Sequence, residues 1–170
     1  MLRGNRGCIH FLLWLVLLVT LQACAHDHGS ADNPKAGYLY GAVIRIADGD
    51  TLTILSPGKR QVKIRLAEID TPERGQPFGT WAKNQLSDIV FRKNVAIRQV
   101  DIDRYDRIVG RVYVNDLDVN AELVRIGAAW VYRKYAKDAR LYDLEQEARA
   151  AKRGLWIQSP QIPPWEWRKR

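Results

Sequence analysis

Five short runs with apolar and polar residues in alternation crowd the middle of the chain: Leu39 to Ile46, Thr51 to Leu55, Gln61 to Ile69, Val95 to Val100 and Ile108 to Val114. Each reads as a strand with one face for a core, and turn residues separate them. The second and third are the most constraining. Leu52 and Ile54 alternate with Thr51 and Thr53, while Val62, Ile64 and Leu66 alternate with Lys63 and Arg65. Their apolar sets share one face only if the loop between them holds an odd number of residues. A three-residue Ser56-Pro57-Gly58 loop with Gly58 in the left-handed conformation meets that condition. It predicts Asp50 opposite Ile64, with Arg65 as its diagonal neighbour at the end remote from the turn.

Three stretches have helical spacing instead. Thr80 to Arg92 sets Trp81, Leu86, Ile89 and Val90 along one face, and Val119 to Ile126 is a short apolar helix stopped by Gly127. Asp138 to Arg153 starts on a capping aspartate, carries the stripe Leu141, Leu144, Ala148 and Ala151, and meets Gly154 at its end. Its acids lie early and its bases late, as the helix dipole favours. Together these elements predict an α+β, mainly β chain: a five-stranded OB-type barrel with three helices over residues 38–158. The groove of such barrels commonly takes nucleic acid. The tail 159–170, with Trp165, Trp167 and three terminal bases, has no helical or strand period, and is expected to pack on the domain as a strap.

The first 23 residues read as a targeting segment: Arg3 and Arg6, an apolar run from Ile9 to Val19, then Leu21-Gln22-Ala23-Cys24. The run is short for a membrane span and suits a signal peptide. The Leu-x-Ala-Cys ending resembles a bacterial lipobox, which implies a lipid on Cys24. A lipoprotein anchored in the bacterial envelope and facing the periplasm or exterior is then expected; a cleaved secretory signal and a retained anchor are the alternatives. Residues 24–37 have little to bury and read as a linker, in which His26 and His28 are taken as solvated. Cys8 and Cys24, the two cysteines of the chain, precede the domain, so the folded part has neither disulfide nor thiolate metal site. A formal charge of +8 favours a polyanionic partner.

Asp50, Arg65, Asp70 and Glu73 sit where the apolar alternation stops, so they face solvent or ligand rather than core. Hard oxygen ligands beside a guanidinium suit a divalent cation holding a phosphate. Charge that grows on a phosphate under attack calls for a second donor fork, for which Arg107 is the candidate, ahead of Arg111. Arg111 alternates with Val112 and Val114 and is expected on a solvated face of the barrel wall. Asp48 reads as a turn residue. Tyr132 and Tyr135 are placed either to stack on bases or to pack at the rim.

Asp48-Gly49-Asp50-Thr51, Arg65 through Asp70-Thr71-Pro72-Glu73, Asp103-Arg104-Tyr105-Asp106-Arg107 and Val119-Asn120 through Gly127 occur in that order. The ordered set resembles the staphylococcal nuclease (thermonuclease) family, from about Tyr38 to Trp156. The resemblance implies an OB-type barrel and a calcium-dependent nuclease that cuts DNA and RNA with little sequence preference and leaves 3′-phosphate ends. It implies Asp50, Asp70 and the Thr71 carbonyl as Ca2+ ligands, and Glu73 as general base. Arg65 and Arg107 would grip the phosphate, and Arg104 and Tyr105 a terminal phosphate; Tyr135 is added as a substrate contact. A monomer is expected. Asp106 departs from the glycine usual at its position, adding negative charge beside Arg107. Two rival readings stay open: a catalytically silent OB module that binds nucleic acid at the envelope, and an envelope lipoprotein that binds calcium structurally.

Overall fold

The computed structural model describes residues 36–158 and 160–170. The signal-like segment, Cys24 and most of the linker lie outside the described residues. In chain order the elements are β1 (Tyr38–Ile46), β2 (Thr51–Leu55), β3 (Gln61–Leu66), β4 (Ile69–Asp70), α1 (Gly79–Val90), β5 (Asn94–Ile102) and β6 (Ile108–Val114). There follow β7 (Leu117–Asp118), α2 (Val119–Arg125), β8 (Trp130–Val131), α3 (Ala139–Ala150), a 3₁₀ turn (Gly154–Ile157) and α4 (Pro164–Trp167).

The nine-residue β1 is long enough to serve two neighbours: its first half pairs with β5 and its second with β2, both antiparallel. β2 pairs with β3, and β5 with β6. A parallel pairing of β3 with β6, Ile64 to Ile108 and Leu66 to Gly110, then closes the ring. The result is the expected five-stranded OB-type barrel, whose closure removes sheet edges that would otherwise be left unpaired. Register shifts between Val43 and Arg45 and between Gln99 and Asp101 mark bulges that bend β1 and β5 around it. Inside, Val43, Leu52, Ile54, Ile64, Leu66, Ile97 and Val112 are buried, and α1 and α2 add Leu86, Val90, Leu123 and Val124.

The hairpin loop differs from expectation. Leu55 pairs with Gln61, so the loop is Ser56 to Arg60, and Lys59 at φ 55°, rather than Gly58, takes the left-handed place. Five residues are also an odd number, so the apolar faces still coincide. The register moves by two: Thr51 faces Arg65, and the Leu66 N–H, not that of Ile64, donates to the Asp50 carbonyl at 2.8 Å. Thr51 and Thr53 are buried along with Leu52 and Ile54, so β2 is covered on both faces. β3 ends at Leu66 rather than Ile69 because Glu68 turns the chain at φ 65°, and Ile69–Asp70 restarts as β4 against β8. The tail also has structure that no periodicity announced, a single helical turn at α4 begun by buried Pro164.

The largest correction is Arg111. It is 3% exposed, and its guanidinium meets Glu68 (3.0 Å), Asp118 (2.9 Å) and Asp138 (2.7 Å). Asp118 and Asp138 are the N-caps of α2 and α3, accepting from the Ala121 and Arg140 N–H groups. Strand parity put Arg111 opposite the core correctly; what it missed is that two helix starts and the Glu68 loop cover that outer face. Asn120, fully buried, ties the same region together: its amide donates to the Ala67 carbonyl at 2.8 Å and accepts from the Val112 N–H at 3.0 Å.

Candidate active site

Asp50 follows a tight Asp48-Gly49 turn in which the Asp48 carboxylate accepts from the Asp50 N–H at 3.2 Å. Gly49 is required by close approach, since a Cβ there would lie 2.7 Å from Thr71 Oγ1. That contact brings the turn against the end of β4, and the Thr71 N–H donates to Asp50 Oδ2 at 2.9 Å. Asp50 and Asp70 are thus neighbours, 5% and 1% exposed. Arg65, projecting from β3 one residue before the Leu66–Asp50 pairing, forks between them, with Nη1 at 2.9 Å from Asp50 and Nη2 at 2.9 Å from Asp70.

Burial and mutual repulsion act on these acids. Desolvation first, then the charge of Asp50, pushes Asp48 up to about 6. Asp70 is also raised, by burial and by Asp50, against the pull of its arginine partners. A site that crowds buried carboxylates calls for positive charge, and every donor in it is oxygen, which suits a hard divalent cation such as Ca2+. Among the described residues no group of three or more His, Cys, Asp or Glu side chains could hold an ion by itself. A cation here would rest on the Asp50–Asp70 pair, completed by backbone oxygen and water.

Arg107 stands across the groove. Its Nη1 is 3.4 Å from Thr51 Oγ1, beside Asp50, and its Nε is anchored to Asp103 at 2.7 Å. Asp103 closes the loop by also accepting the Tyr105 and Arg107 N–H groups; these bonds hold its carboxyl below the usual range although burial opposes them. Asp106 adopts φ 56°, the left-handed conformation that glycine takes without strain and aspartate better than most. Tyr105 is 62% exposed, with the Arg104 and Arg107 guanidinium groups 4.9 Å and 5.5 Å from its ring centroid. Tyr135, 55% exposed, meets Tyr132 edge-on at 4.9 Å. All of these except Asp106 line one groove of about 1220 Å³, which also receives Arg98, Lys134, Lys137 and Arg140.

Residues 63–158 match the family model described as "Staphylococcal nuclease homologue". The chain belongs to the staphylococcal nuclease family. Similar proteins include an "Uncharacterized endonuclease" of Escherichia coli, 44% identical over 133 residues that cover 78% of this chain and 86% of the other. Another of that name, from Haemophilus influenzae, is 37% identical over 156 residues, 92% of this chain and 82% of the other. A "Micrococcal nuclease" of Shigella flexneri is 41% identical over 140 residues, covering 76% and 80%.

Of the candidates read from the sequence, Asp50, Arg65, Asp70, Thr71, Glu73, Arg104, Tyr105, Arg107 and Tyr135 all border the groove. At Thr71 the contact to Asp50 is made by the backbone N–H. Glu73 follows Pro72 and is held by its N–H, which donates to Gln76 Oε1 at 2.9 Å. The residue that sequence reasoning missed is Arg168. Its Nη2 lies 2.7 Å from Asp70 Oδ2, and its Nη1 is bonded to Glu73 Oε1. Three bases at the chain end were the only signal, and nothing in their spacing points to Asp70.

Proposed function

We propose that the chain is a nuclease that hydrolyses phosphodiester bonds of DNA and RNA with calcium as cofactor, little sequence preference and 3′-phosphate products. The carrying observation is the buried Asp50–Asp70 pair bridged by Arg65, with Arg107 across the groove. Asp50, Asp70 and the Thr71 carbonyl would hold the ion, which when bound supplies Lewis-acid polarisation of a phosphate oxygen.

The rest falls to the chain's own residues. Glu73 would accept the proton of the attacking water and so direct it in line at phosphorus, with the 5′ oxygen leaving. Arg65, released from carboxylates that have gained a cation, would present its fork to one phosphate oxygen. Arg107, held in place by Asp103, would meet another, where charge grows in the transition state. Arg104 and Tyr105 are set for a terminal phosphate, and the exposed face of Tyr135 for a base. Water as nucleophile needs no 2′ hydroxyl, so DNA and RNA are both substrates. Basic side chains along the groove provide affinity that salt weakens.

The test is degradation of plasmid DNA and of RNA by residues 34–170 with calcium and with chelator. Cleavage in calcium that stops in chelator is expected. Undiminished cleavage in chelator refutes the calcium role, and no cleavage with any metal refutes the nuclease.

A further inference from the structure

The tail beyond residue 158 lies outside the family match, yet it places Arg168 in the groove of the candidate site. Its path is fixed at three points. The Ile162 carbonyl accepts from buried Gln76 at 2.6 Å, and the same Gln76 side chain accepts the Glu73 N–H, so the tail is tied to the loop that carries Glu73. Trp165 stacks face to face on Tyr132 at 5.4 Å and 2°, and meets Trp130 edge-on at 5.8 Å. Trp130 is the β8 partner of Asp70. Three residues on, across the single turn of α4, Arg168 is therefore delivered to Asp70 by the residue that grips the neighbouring strand.

There the guanidinium takes both oxygens of Asp70, at 2.7 Å and 3.3 Å, and Glu73 as well. Asp70 is almost wholly buried, whereas the Arg168 side chain is 41% exposed, so the cation is the member of the pair that can withdraw to water. With Arg65, the two guanidinium groups bring to the carboxylates the formal charge of one divalent ion.

We infer that Arg168 is an internal cation that competes with calcium for Asp70 and restrains Glu73, so that the C-terminal strap sets the metal affinity of the enzyme. This rests on the reading of Asp50 and Asp70 as the metal site. While Arg168 is seated, each Asp70 oxygen already has a guanidinium partner, and Glu73 Oε1 is engaged by the same side chain. Binding of the ion requires Arg168 to leave, and its departure frees both groups together. Catalytic competence then requires a higher calcium concentration than the two acids alone would dictate, because only the fraction of molecules with Arg168 withdrawn can take the ion.

The experiment is calorimetric titration of calcium into the protein spanning residues 34–170 and into its Arg168→Ala and Trp165→Ala variants, without nucleic acid. Arg168→Ala should bind calcium about tenfold more tightly, the scale of removing one charge-assisted fork. Trp165→Ala, which loosens the strap without touching an acid, should shift the affinity the same way. Unchanged or weaker binding by Arg168→Ala, with calcium still bound by the unsubstituted protein, overturns the latch. Absence of calcium binding in all three proteins overturns the metal reading of the carboxylates, and the latch with it.

Discussion

Replacing Arg111 by methionine should unfold the protein more readily while leaving its chemistry nearly intact. The change keeps the length of the side chain and removes a charge that is 3% exposed and shared by Glu68, Asp118 and Asp138. Deleting one side of a buried ion pair costs about 3–5 kcal/mol, because the other side stays charged. Here the orphaned carboxylates keep some relief. Their side chains are 15–19% exposed, Glu68 still accepts the Lys137 and Asp138 N–H groups, and Asp138 still holds Arg140. The buried Arg111 Nε has no acceptor, so losing it removes an existing cost. The lower end, about 3 kcal/mol, is the expected loss. Guanidinium unfolding should show it as a lowered midpoint with an unchanged slope. Turnover, measured where the variant is fully folded, should fall no more than a few-fold, through relaxation of the Glu68 loop that leads into Asp70. A loss of stability under about 1 kcal/mol would refute the account of the three-acid anchor. A hundredfold drop in turnover of a folded variant would show that Arg111 serves the phosphate.

Arg107→Ala should do the reverse, cutting turnover at saturating substrate by about 10²-fold or more with little change in unfolding midpoint; near-normal turnover would remove Arg107 from the site. The Asp138 carboxyl is held well below its usual range, first by the side-chain hydrogen bond from Arg140 and then by Arg111. A depressed pKa contributes stability that is present above the unfolded value near 4 and is lost as pH falls through the folded one. The stability gap between the unsubstituted protein and Asp138→Asn, read from denaturant unfolding, should therefore narrow steadily below pH 4; a gap independent of pH would show that the cap acts by shape alone.

The barrel was legible because each of its strands carries its own alternation, and an odd loop length is enough to put Leu52 and Ile64 on one face. Its exact loop was not, because three and five residues satisfy the same parity and only packing chooses between them. Asp50, Arg65 and Asp70 could be found since they lie at strand ends where the alternation stops. Arg111 shows the limit of that logic: parity says which face a side chain leaves by, but not what folds over that face. The capping Asp138 was visible locally, yet its convergence with Asp118 on one guanidinium depends on where two helices begin in space. Arg168 lay beyond reach for the same reason, its address being set by Trp165 on Tyr132 rather than by any nearby residue.

The parallel pairing of β3 with β6 also sets the order of events as the chain is made. Asp50, Arg65, Asp70 and Glu73 emerge from the ribosome early, but Ile64 and Leu66 must wait for Ile108 and Gly110 before the barrel can close. Arg107 stands at the head of that closing strand, so the step that seals the fold also carries the second fork to Thr51. A half-made chain has its carboxylates and no Arg107 fork opposite them. The arrangement around Asp50 is complete only once the last barrel strand is in place, and Arg168, which covers Asp70 and Glu73, comes later still in the chain.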